Sequence, residues 1–226
     1  PRSSTVNFTV DSIAPNATTL VVTNDANGNT VVPNNGATND STPTLTGTAE
    51  ANGIVTVYDG TTLLGSVIAS GTGAWTFTST TLTQGSHTLK VTVTDAAGNI
   101  SGTTSSTLVV DTTPPLAVAG LAAANNNGST PVAIAAGSST NDNTPALSGT
   151  AEAGSVVKIY DGGTLLGSVT ASSTGAWSYT STQLTDGSHT INVTATDAAG
   201  NISPNASITF TVGTGAPNPV TGLVVN

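Results

Sequence analysis

Apolar and polar residues alternate along most of this chain. In His87–Thr94 (HTLKVTVT), Leu89, Val91 and Val93 fall on one face and Thr88, Lys90, Thr92 and Thr94 on the other. A period of two is expected of an antiparallel strand with one buried face. Ile54–Tyr58, Trp75–Thr78 and Thr107–Val110 read the same way, and clusters of Gly, Asn, Asp and Ser separate the runs. No segment keeps an apolar period of 3.6. The pattern predicts strand A near 18–23, an irregular continuation to 38, then B 43–48, C 54–58, D 62–68, E 74–79, F 87–94 and G 104–110. About seven strands in roughly 100 residues point to an all-β, immunoglobulin-like sandwich. Trp75 falls on strand E, where it is expected to fill the core beside Phe77.

The pattern occurs twice. NDSTPTLTGTAEA from Asn39 returns as NDNTPALSGTAEA from Asn141, an offset of 102. TLLGSV at Thr62 returns at Thr164, GAWTFTST at Gly73 becomes GAWSYTST at Gly175, and TDAAGNIS at Thr94 returns unchanged at Thr196. From Asn39 to Ser101, 45 of 63 positions are identical. FTVDSIAP at Phe8 matches LVVDTTPP at Leu108 and, more loosely, FTVGTGAP at Phe210. The expected units are 12–111 and 112–213, with 1–11 the end strand of a preceding repeat and 214–226 the start of a following one. Repeats of this length fold as separate domains in tandem.

Composition narrows the function. Charged residues make up 7% of the chain, with twelve acids against three bases, Arg2, Lys90 and Lys158, and a net charge of −9. Nucleic acid and anionic membrane are therefore unsuitable partners. There is no cysteine for a disulfide or thiolate site. The lack of cysteine fits a bacterial exported protein or a cytosolic one; no apolar run is long enough to span a membrane and no signal peptide opens the chain, so it reads as an internal fragment. No catalytic set is expected: the two histidines, His87 and His189, are repeat equivalents read as surface-edge residues, and G-x-S-x-G is absent. Asp25–Asn29 faintly resembles a calcium loop but lacks the closing Glu and reads as a turn.

The acids carry the candidate chemistry. Ten recur with the repeat or its boundaries, whereas Asp25 and Asp186 do not recur. Successive loops of an antiparallel sandwich alternate between its ends. The topology therefore predicts Asp111 leaving the first unit beside Asp40 and Asp59, to meet Glu152, Asp197 and Asn201 of the second. By the same logic Asp11, Glu50, Asp95 and Asn99 form the matching group of the first unit. Converging carboxylates repel one another unless a cation lies between them. Structural Ca²⁺, with 6–8 oxygen ligands, fits such an inter-domain site; solvated turn residues are the other reading. Gly213 stands where the other two boundaries have Asp, so calcium is expected to be weak or absent there.

Taken together, TDAAGNIS, the D-T-T-P-P linker and GTAEAG…YDG…LLG…GAW resemble the bacterial Ig-like repeats of giant non-fimbrial adhesins of the Bap-like and SiiE-like kind. The resemblance covers nearly the whole chain. It implies type I secretion, extracellular display at the bacterial cell surface, a role in adhesion or biofilm, and calcium between consecutive repeats with linker and loop aspartates as ligands. The implied chain is a monomeric structural spacer whose partners are its neighbouring repeats, a host-cell or matrix ligand being met by other domains. Two other readings stay open: a carbohydrate- or receptor-binding module, and a spacer within a secreted enzyme.

Overall fold

The computed structural model describes residues 8–215, which contain strands, turns and no helix. The chain divides into two compact units between Thr113 and Pro114. The expected end strands lie largely outside the described residues; residues 8–11 form no strand.

The first unit has nine strands, β1 (Val21–Asn24), β2 (Thr30–Val32), β3 (Gly36–Thr38), β4 (Thr44–Thr48), β5 (Ile54–Asp59), β6 (Thr62–Ile68), β7 (Ala74–Thr78), β8 (Gly85–Thr94) and β9 (Thr104–Val110). They form a four-stranded sheet, β2-β1-β4-β7, and a five-stranded sheet, β3-β9-β8-β5-β6. The all-β, immunoglobulin-like sandwich is as expected, but the strand count is higher. The segment 24–38 turns back on β1 as β2 and then crosses to the other sheet as β3, which pairs parallel to β9. Three-residue strands are too short to show a period, so sequence pattern could not resolve them.

The core follows the alternation. Leu89, Val91 and Val93 are fully buried and pack with Val55, Val57, Leu45, Leu108 and Trp75. Trp75 lies cross-strand from Gly47. A Cβ on Gly47 would stand 2.0 Å from the Thr19 carbonyl oxygen and 2.8 Å from the indole, so glycine makes room for the ring. The turn before β7 needs a left-handed residue, supplied by Gly73 at φ 84°.

The second unit repeats this plan with β10 (Ala119–Asn125), β11 (Val132–Ile134), β12 (Ser139–Thr140), β13 (Ala146–Thr150), β14 (Val156–Asp161), β15 (Thr164–Thr170), β16 (Ala176–Thr180), β17 (Gly187–Thr196) and β18 (Ala206–Val212). Its sheets run β11-β10-β13-β16 and β12-β18-β17-β14-β15. Trp177, Ile191, Val193 and Phe210 occupy its core.

One difference between the cores lies at the start of the first sheet. Thr19 N–H bonds the Thr48 carbonyl, and Ala119 is paired with Thr150, so Thr18 and Val118 are structural equivalents. Both are buried. The Trp75 indole N–H donates to Thr18 Oγ1 at 2.7 Å. Val118 offers no acceptor, and Trp177 Nε1 is buried without a hydrogen-bond partner among the described residues.

Candidate functional site

Each unit carries its recurring acids in the turns at its two ends. At one end of the first unit, β8 and β9 are joined by the TDAAGNIS segment. Asp95 Oδ1 accepts from the Ala97 and Asn99 amides at 2.9 and 2.8 Å, and Asn99 Nδ2 donates to Asp95 Oδ2 at 2.7 Å. Ser101 Oγ accepts the Val93 amide at 2.9 Å. The Asn99 side-chain bond leads the backbone N–H groups in holding the Asp95 carboxyl below its ordinary pKa, against the effect of desolvation. The second unit builds the same loop, with Asn201 donating to both oxygens of Asp197 and Ser203 accepting from Ala195. The repeated motif is thus a loop closed by its own side chains.

Of the predicted ligands at this end, Asp95, Asn99 and Asp11 come together: Asn99 Nδ2 donates to the Asp11 backbone carbonyl at 3.2 Å. Glu50 is exposed on the turn after β4, beside a depression of ≈ 300 Å³ lined also by Asn16, Thr19 and Thr48. Glu152 is likewise exposed beside a depression of ≈ 320 Å³ in the second unit. No three His, Cys, Asp or Glu residues gather as a metal-holding group among the described residues.

At the opposite end of the first unit the carboxylates have structural partners. Asp40 is buried; its oxygens accept the Asp25 amide at 2.7 Å and the Thr42 amide at 2.8 Å, pinning the turn after β1 to the one before β4. Asp142 does the same with Asn126 and Thr144. Asp59 Oδ2 meets His87 Nδ1 at 2.7 Å, and Oδ1 accepts the Thr88 amide at 3.1 Å. Asp25, in the turn after β1, accepts from the hydroxyl of Thr44 at the start of β4.

Asp111 Oδ1 accepts from Gln84 Nε2 at 2.7 Å and from the Thr113 amide at 3.0 Å. The Thr113 N–H first, and then Gln84, hold its carboxyl below the ordinary pKa. Gln84 Oε1 in turn accepts the Thr112 amide at 2.9 Å. The second unit reaches the same end by a double exchange: Gly213 replaces Asp111, Asp186 replaces Gln84, and Asp186 Oδ1 accepts the Thr214 amide at 3.0 Å. Asp186, which looked unrelated to the repeat, therefore performs Gln84's accepting role.

The histidines are not surface residues. His87 and His189 are 8% and 6% exposed. Their parity in the strand, shared with Leu89, Val91 and Val93, was the overlooked signal. Each uses both ring nitrogens: in the second unit Nδ1 meets Asp161 Oδ2 at 2.7 Å and Nε2 meets the Thr185 carbonyl at 2.8 Å. Neither ring nitrogen is left to activate a nucleophile.

A family model for the bacterial Ig-like domain matches residues 12–112 and again residues 117–214. The fold is similar to that of the fibronectin(III)-like modules of Clostridium thermocellum CbhA, with 18% identity, a TM-score of 0.51, and coverage of 84% of this chain and 93% of that one. A biofilm-associated protein BSP domain matches at 17% identity and a TM-score of 0.30, over 82% of this chain and 30% of that one. At 18% identity the likeness to the CbhA modules is one of fold. No curated protein matches the chain.

Proposed function

The chain belongs to the bacterial Ig-like domain family, and from that premise we propose that its two units are structural spacer repeats of a large exported bacterial surface adhesin. The observation that carries the reading is duplication without specialisation. The same nine-stranded plan and the same loop-closing bonds occur twice in tandem, and the differences lie in packing and turns. Both tryptophans are buried, so neither offers the exposed ring on which a sugar would stack.

Calcium is the second half of the proposal. In the first unit Asp11, Glu50, Asp95 and Asn99 are the ligands proposed. In the second they are Glu152, Asp197 and Asn201, and Asp111 stands to that unit in sequence as Asp11 stands to the first. Asp40 and Asp59 are left out, because Asp40 is buried and Asp59 is held by the His87 ring. A cation so bound would restrict the chain between consecutive repeats and raise unfolding temperature by mass action.

Small-angle scattering and thermal unfolding of the chain, in calcium and in chelator, test both halves. A longer maximum dimension and a higher melting temperature in calcium are expected. Identical profiles and temperatures would refute the calcium half, and specific binding on a glycan array would refute the spacer half.

A further inference from the structure

His189 sits where three parts of its unit meet. Asp161 ends β14, the ring belongs to β17, and Thr185 lies in the loop between β16 and β17. Both ring nitrogens face oxygen acceptors, Asp161 Oδ2 at 2.7 Å and the Thr185 carbonyl at 2.8 Å. A carbonyl cannot donate, and neither can an ionised carboxylate. A neutral imidazole has one N–H and leaves one contact as acceptor against acceptor; an imidazolium satisfies both. His87 repeats the arrangement with Asp59 and the Thr83 carbonyl, also at 2.7 and 2.8 Å.

Apart from the ring, each of these loops is anchored by a core leucine. Leu184 is buried and its amide donates to the Asn143 carbonyl at 2.8 Å; Leu82 does the same with Ser41 at 2.7 Å. The residue after each histidine-bound carbonyl then holds the segment that leaves the unit. Gln84 bonds Asp111 and Thr112, and Asp186 bonds Thr214.

We propose that His189 and His87 are protonation latches: as imidazolium ions they fasten these loops, and with them the exit segments, and on losing a proton they release them.

The surroundings are simple electrostatically. Asp161 and Asp59 are the charged groups acting on the two rings. Across β18 and β9 the facing residues are Phe210 and Leu108. Lys158 and Lys90 lie on the other face of their strands. Among the nearby acids, Asp142 and Asp40 hold backbone amides, Asp111 holds Gln84 and Thr113, Asp186 holds Thr214, and Asp25 holds Thr44. Burial pulls both histidine pKa values down, but the carbonyl and carboxylate bonds and the carboxylate charge outweigh it, and both end above 6.5. A raised histidine value means stabilisation that is complete below about pH 6.5 and lost as pH rises through the folded-state value.

Imidazole ¹⁵N spectra of the whole chain, with amide exchange corrected for its intrinsic pH dependence, test this. At about pH 6 both nitrogens of both rings should be protonated. As each ring titrates, protection at the Leu184 and Leu82 amides should fall roughly tenfold, the scale of losing one charge-assisted hydrogen bond. Asp161→Asn keeps the shape and removes the charge, so it should bring the His189 titration and its exchange step to lower pH while leaving His87 unchanged. Singly protonated rings at pH 6, or protection that stays level while the rings titrate, would overturn the proposal.

Discussion

The two tryptophan sites form a natural hydrogen-bond experiment. Thr18 and Val118 have nearly the same shape and are equally enclosed, so exchanging them changes one hydroxyl and little packing. In the first unit, Thr18→Val removes the acceptor of the Trp75 indole and a bond from Thr18 Oγ1 to the Thr48 carbonyl at 2.8 Å. Thr48 keeps the Thr19 amide, so its oxygen remains satisfied. The indole N–H does not, and a buried donor without a partner costs about 1–3 kcal/mol. Relief from burying the hydroxyl offsets part of this, leaving a net loss of about 1–2 kcal/mol.

In the second unit the sign reverses. Val118→Thr gives the Trp177 indole an acceptor, and a net gain of about 0.5–1.5 kcal/mol is expected. In a domain of this size 1 kcal/mol corresponds to about 4–8 °C in melting temperature. Each unit has one tryptophan, so each indole N–H resonance reports its own unit through a urea titration of the whole chain. The wild-type Trp177 resonance should lack the downfield shift of a bonded indole and gain it in Val118→Thr. If both exchanges move stability in the same direction, or if Val118→Thr lowers it, the indole hydrogen bond is not what distinguishes these sites.

Other expectations follow from the same contacts. Gly47→Ala should lower the stability of the first unit by about 1–3 kcal/mol in chemical denaturation, because its Cβ meets a backbone carbonyl that cannot withdraw. The exit contacts should be coupled. Asp111→Gly alone removes a partner of Gln84, and Gln84→Asp alone places a second carboxylate beside Asp111. The double variant recreates the pairing of the second unit, so the two losses should be less than additive in a double-mutant cycle; strict additivity would show that the residues act independently. At the acid end, the lowered Asp95 and Asp111 values mean stability that is present above the ordinary carboxylate pKa and lost as pH falls through the folded-state values; circular dichroism melts across that range check it.

The fold was legible where a strand ran long enough to show its period. β5, β7, β8 and the core residues Leu89, Val91 and Val93 follow directly from alternation. β2 and β3 did not, because three residues carry no period and β3 is fixed by pairing with β9, far away in sequence. Polar residues at inward positions were the other failure. Asp59 shares the parity of Val55 and Val57, as His87 shares that of Leu89, yet the sequence reading placed Asp59 among the junction acids and His87 at a surface edge. His87 can be buried because the half-buried Asp59 and the Thr83 carbonyl satisfy its ring nitrogens, a pairing that sequence shows only when two inward polar positions are seen on neighbouring strands.

Recurrence of several acids has a structural cause apart from any cation. Asp40 and Asp142 recur because each pins two turns to one carboxylate, and Asp95 and Asp197 because each closes a loop. Turn chemistry alone would produce that recurrence. Glu50 and Glu152 differ: they recur, are exposed, and their carboxylates bond nothing among the described residues. No loop explains them, so they carry the more specific part of the cation reading. Substituting Asp95 would remove a proposed ligand and unfold its loop together, and the two effects could not be separated. Glu50→Gln and Glu152→Gln leave every described hydrogen bond in place, so a loss of calcium response in those variants would have to come from a lost ligand.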